Sequence, residues 1–121
     1  MTGFCRDGID PIHYAEYIEP MCRAYAVPYL ISMADLREDL GAVGFEILKV
    51  ENQDQHGDLE PTWELFDRKA RSRRERTAAT LADKVLVESH EALARAGRAG
   101  HFVLGFWQAR CPATPATWTE L

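Results

Sequence analysis

Apolar residues open the chain in a short block, Met1 to Cys5, and Arg6-Asp7-Gly8 then reads as a turn. The block predicts the end of a β-strand. Asp10-Pro11 starts a helix, because aspartate can cap a first turn and proline is tolerated there. Ile12, Tyr14, Tyr17, Ile18, Met21, Cys22 and Tyr25 would ride on that helix, with Pro20 imposing a kink or a split and Pro28 ending it. Ser32-Met33-Ala34-Asp35 has the form of a capping box, with Asp in place of Glu. Met33, Leu36, Leu40 and Val43 then recur at spacings of three and four, which places them on one helix face. Gly44 suits the left-handed residue just past a helix. Phe45 to Val50 predicts a strand, apolar on both faces at first and more polar as it leaves the core.

Asn52 to Glu60 reads as a polar loop. Pro61 opens a helical region that runs to about Ala99, with Trp63, Phe66 and Ala70 on its early apolar face. Leu81, Val85, Ala92 and Ala96 mark the later face. The apolar face thins near Thr77 to Thr80, which predicts a break, and Gly97 and Gly100 end the region. His101 to Arg110 is nearly all apolar and predicts a second full strand; Cys111 to Leu121 predicts a loose tail rich in Pro and Thr.

Composition narrows the class. With 121 residues, 46% hydrophobic and 27% charged, the chain has the size and balance of one globular domain. No apolar run approaches the roughly 20 residues that span a bilayer, and no basic-then-apolar leader is visible, so no membrane association is expected. Cys5, Cys22 and Cys111 are odd in number and lack paired spacing. That points to reduced thiols in a cytoplasm and not to a disulfide framework or a zinc site. The net charge of −5 opposes a broad nucleic-acid footprint. Arg68, Lys69, Arg71, Arg73, Arg74 and Arg76 are interleaved with Glu64, Asp67 and Glu75, the pattern of a solvated helix face. No Gly-x-Gly loop follows a strand, and there is no phosphate loop or serine nucleophile elbow.

Leu40-Gly41-Ala42-Val43-Gly44-Phe45-Glu46-Ile47 resembles the leucine–x–x–alanine–glycine–phenylalanine step into the sixth strand of class I S-adenosylmethionine-dependent methyltransferases, with Val43 in place of the usual alanine. Gly97-Arg98-Ala99-Gly100 and the strand after it resemble the family's seventh strand, and Met1 to Cys5 its fifth. Tyr25 to Ser32 resembles the linker before the sixth strand, which lies beside the substrate in small-molecule members. The resemblance covers residues 1–110. It implies an α/β fold, namely the last strands of a Rossmann-like methyltransferase sheet with the final strand antiparallel inside the edge hairpin. The helical insertion of about 61–99 would then form a lid. The family's cofactor loop and ribose-binding acid have no counterpart here. S-adenosylmethionine would therefore be held only by a partner chain, and the chain would pair with a donor-binding subunit or with itself.

On that resemblance, residues at the carboxyl ends of the strands and in the linker face a small-molecule acceptor. His56 would take a proton from an acceptor hydroxyl or amine; the plain alternative is a solvated loop histidine. Tyr14, Tyr17, Tyr25 and Tyr29 would line an aromatic pocket, or two of them serve as core or interface aromatics with the hydroxyl at the rim. Arg6 would hold an acidic acceptor group, or make a surface ion pair. Trp63 would cap the pocket, or anchor the helix. His90, between Leu86 and Leu93, reads as a packed histidine with a satisfied partner. The function implied is the acceptor-binding and lid portion of a methyltransferase. A non-catalytic partner that stabilises an intact methyltransferase is the alternative, and a small homodimeric ligand-binding module a third.

Overall fold

The computed structural model describes residues 2–76 and 80–111. Strand β1 is Thr2–Cys5. Asp10 then caps α1 (Pro11–His13), accepting the His13 N–H, with Pro11 in the first turn as the sequence implies. Pro20 stands in the first turn of a separate α piece, so the helical run is divided around it. Five residues, Tyr14–Ile18, widen into a π turn, in which the Glu19 N–H reaches back to the Tyr14 carbonyl, and α2 (Glu19–Ala24) follows. The cause is local. Pro20 has no N–H and its ring crowds the carbonyl four residues back. That carbonyl belongs to Glu16, and it accepts from Arg95 Nη1 instead (3.1 Å). The helix stops at Ala24, ahead of Pro28.

Helix α3 (Met33–Ala42) begins with both arms of the Ser32–Asp35 capping box. It ends on Gly44, whose φ of 93° few other residues tolerate. The Gly44 N–H donates to Gly41 and the Phe45 N–H to Leu40, closing the carbonyls of the last turn. Strand β2 (Glu46–Asn52) and a 3-10 turn (Gln53–His56) follow. The predicted break in the long helical region divides it into α4 (Glu60–Arg74) and α5 (Leu81–Arg98); residues 77–79 lie outside those described. Gly100 (φ 79°) ends α5 through the same pair of bonds, Gly100 to Gly97 and His101 to Ala96. Strand β3 is Phe102–Arg110. Of the predicted tail, residues 112–121 lie outside the described residues.

The sheet has three strands in the order β1-β3-β2, and β3 runs antiparallel to both neighbours. The mixed α/β class holds. A Rossmann-like sheet does not: both ladders are antiparallel, because β1 and β2, which run the same way, are separated by β3. The only parallel pairing among the described residues is one isolated bridge, Cys5 to Ser32, on the outer edge of β1. Leu48 is an extra residue in β2, where the register slips between Ile47 and Lys49, so it faces solvent and is not the core residue that its neighbours suggest.

The main core is Cys5, Ile18, Met21, Cys22, Trp63, Ala94, Ala96 and Phe102. Trp63 of α4 and Ala94 and Ala96 of α5 thus belong to the core. A smaller cluster, Phe4, Met33 and Val103, lies under α3. On α5 the predicted face holds at Ala96, which is buried, and at Ala92, which packs on the core, whereas Leu81 and Val85 are exposed and Asp83 and Val87 are buried instead. Asp83 completes the Thr80 capping box and accepts from Arg73 of α4 and from Arg76, which holds its side chain in place.

Candidate functional site

The start of β3 is pinned beside the end of β1. The Arg6 N–H donates to the His101 carbonyl (2.8 Å), extending the ladder by one residue. This sets His101, only 8% exposed, under the first helical turn. Its ring stacks on His13 (centroids 4.6 Å apart, planes 24° from parallel) and packs against Tyr17 (4.6 Å). Arg95 lies over the Tyr17 ring at 4.3 Å and pairs with Glu16 (3.0 Å). The carbonyl released by Pro20 and the glutamate that carries it thus fix the arginine that covers the cluster.

Asp10 acts twice. Oδ1 accepts the His13 backbone N–H (2.8 Å), and Oδ2 meets His13 Nδ1 (2.5 Å). These contacts, the backbone donor first, hold the Asp10 carboxyl below the usual range. The His13 side chain is 44% exposed. Beneath it, His101 Nδ1 is buried without a hydrogen-bond partner. Burial, and then the neighbouring His13 and Arg6, lower the pKa of His101.

A pH dependence follows. An unfolded histidine takes up its proton near pH 6.5, whereas folded His101 resists until the pH is lower. Over that interval the unfolded state binds more protons, so stability falls as pH drops below about 6.5. His90, lowered chiefly by burial, adds to the same sign. Asp10, Glu51 and Asp83 have lowered values, and their losses come only near and below the carboxylate range. Urea unfolding between pH 7.5 and 5.0 should show decreasing stability, and His101→Phe should flatten that slope. An unchanged slope would remove His101 as its source.

The predicted site residues are dispersed. Arg6 is exposed beside His101 and belongs to this cluster. Tyr25, 39% exposed at the end of α2, has its hydroxyl pKa raised by burial. Tyr29 is 65% exposed, next to Leu30, whose backbone is clasped by the Tyr14 hydroxyl. His56 follows β2, with Nε2 2.8 Å from Glu51 Oε2. Trp63 is 4% exposed and packs on Gly97 and Phe102, the anchoring place among its two alternatives. His90 is packed as predicted, edge-on to Phe66 at 5.2 Å.

Two surface depressions of about 390 and 400 Å³ take in none of the predicted site residues. The first lies between Asp7, Met33, Arg37 and Asn52, at the carboxyl ends of β1 and β2. The second lies between the far ends of α4 and α5. There the basic stretch is ion-paired: Arg71 with Glu64, Arg73 and Arg76 with Asp83, Arg74 with Glu91. Among the described residues no cluster of His, Cys, Asp and Glu has the form of a metal site, and no helix is long and apolar enough to cross a membrane. Sequence reading missed His13 and His101. The one local signal was Asp10-Pro11-Ile12-His13, a cap followed three residues later by a histidine; the partner His101 is 88 positions away, beyond any local pattern. No family model, no curated protein and no solved structure matches the chain.

Proposed function

We propose that this chain is the acceptor-side portion of an S-adenosylmethionine-dependent methyltransferase acting on a small metabolite, with the methyl donor held by a separate donor-binding chain. The observation that carries this reading is the strand order. A reversed last strand between two strands that run the same way is what the resemblance implies for the end of a methyltransferase sheet. On this reading β1, β2 and β3 are the fifth, sixth and seventh strands, and the donor-binding part of a Rossmann-like sheet continues from the outer edge of β1. That edge carries one isolated bridge, at Cys5, and so retains backbone groups that another strand can pair with. Arg6, which directly follows β1, would border the acceptor, and alignment of donor and acceptor would supply much of the rate. Buried free thiols at Cys5 and Cys22 suit a cytoplasmic location.

A second reading, a non-catalytic partner that stabilises an intact methyltransferase, draws on the dispersal of the predicted site residues. Transfer of a radiolabelled methyl group separates the two. Under the first reading the donor-binding chain transfers methyl groups only when this chain is added. Under the second it is active alone, and this chain raises its melting temperature. Transfer at full rate without this chain would contradict the first reading.

A further inference from the structure

We propose that the depression between the start of α3 and the face of β2 binds a small zwitterion, an α-amino acid with an uncharged, apolar side chain. Binding there needs no methyl donor and is independent of the function proposed above.

The depression has a volume of about 390 Å³, within the range of small-ligand sites, and is bordered by Asp7, Met33, Ala34, Arg37, Val50 and Asn52. Its two charges are opposite in sign. Asp7 follows β1, and its Oδ1 accepts the Ala34 N–H (3.1 Å), which fixes the carboxylate at the first turn of α3. Arg37 is three residues beyond Ala34, on the same side of the helix and about 4.5 Å farther along its axis. Neither residue belongs to an ion pair among the described residues, although most arginines of α4 and α5 do. A carboxylate and a guanidinium thus border one cavity without closing on each other.

The remaining lining complements them. Asn52 Oδ1 accepts the Asp54 N–H (3.0 Å), so its Nδ2 is the end left to donate. Met33, 7% exposed, and half-buried Val50 form an apolar wall. Met33 is seated on β3 at Gly105, where a Cβ would stand 2.6 Å from its Sδ, so this wall is backed by the sheet.

The chemistry of the lining selects the ligand. A ligand carboxylate accepts from Arg37 and Asn52, and a ligand ammonium donates to the second oxygen of Asp7. With a hydrogen bond of about 2.9 Å at each end, charges separated by a single carbon bridge two side chains one helical turn apart. The side chain on that carbon then lies against Met33 and Val50. An anion alone would face Asp7, and a cation alone would face Arg37. A wholly apolar molecule would strip water from both charges and return no bond. A cationic side chain would meet the apolar wall unpartnered, which excludes lysine, arginine and a sulfonium such as S-adenosylmethionine.

Ligand-detected saturation-transfer NMR on the intact chain tests this, since it reads weak binding whether or not the chain associates. L-phenylalanine and L-leucine are the probes. At least one should show saturable transfer, and L-lysine should show none. For L-phenylalanine, removing the ammonium (N-acetyl-L-phenylalanine) or the carboxylate (phenethylamine) should weaken binding about tenfold or more. Arg37→Ala and Asp7→Asn should do the same; both positions are exposed, and asparagine still accepts the Ala34 N–H. Asp7→Asn should leave the residual binding of N-acetyl-L-phenylalanine unchanged, because that ligand has no ammonium to lose, whereas a general disturbance of the fold would weaken both. No saturable transfer to either probe would overturn the proposal. So would equal affinity for the blocked analogues, which would mean apolar contact only, or unaltered binding in either variant.

Discussion

Trp63→Ala is expected to cost about 3–5 kcal/mol, the range for removing a large buried aromatic. The indole lies 4% exposed in the main core, edge-on to Phe102 at 6.1 Å. It rests directly on Gly97 of α5, where a Cβ would stand 2.6 Å from the ring. The residue therefore joins α4, α5 and β3 at one point, and alanine leaves a cavity that rigid helix backbones cannot fill. Against a typical total of about 5–15 kcal/mol, that loss leaves little of the fold. The converse change tests the same contact: Gly97→Ala overfills it and should cost about 1–3 kcal/mol, although alanine is the better helix former. Urea titration should show both midpoints falling, Trp63→Ala the more. A midpoint unmoved by Gly97→Ala would contradict the packing described.

The isolated chain is expected to self-associate. Its sheet has three strands, and the outer edge of β1 is met at one residue. Apolar side chains stand in solvent on several elements, among them Ile12, Val43 and Leu81 at 77%, 66% and 78% exposure. Phe106 and Trp107 are about two-fifths exposed on β3. An open edge beside apolar surface favours pairing between chains. Light scattering at micromolar concentration should report a mass above the 13.7 kDa of one chain, with the excess lost on adding a donor-binding partner. A monomer with a sharp, reversible melting transition would contradict this.

Local chemistry was legible where a short motif decides the structure. Asp10-Pro11, Ser32 to Asp35, Gly44 and Gly100 each do in the fold what their neighbours in sequence imply, because caps and left-handed turns are settled within a few residues. What failed depends on distant partners. Pro20 was expected to kink or split its helix, and the run is divided there, but the form of the division, a π turn whose freed Glu16 carbonyl accepts from Arg95 79 residues away, has no local signal. Leu81 and Val85 look like core residues by periodicity, but at this end of α5 the buried position is Asp83, held by its capping role and its arginine partners. The close packing of Trp63 on Gly97 joins two helices whose contact no local pattern announces. The His13–His101 stack joins two helix-to-strand neighbourhoods that only the finished sheet brings together.

Calorimetric titration with S-adenosylmethionine tests most directly the claim that this chain completes a donor site held elsewhere. The account predicts no heat of binding to the purified chain alone and saturable binding once a donor-binding chain is present. Saturable binding at one site per chain in the absence of any partner would contradict it, since the donor site would then be built from the residues assigned here to the acceptor side and the core.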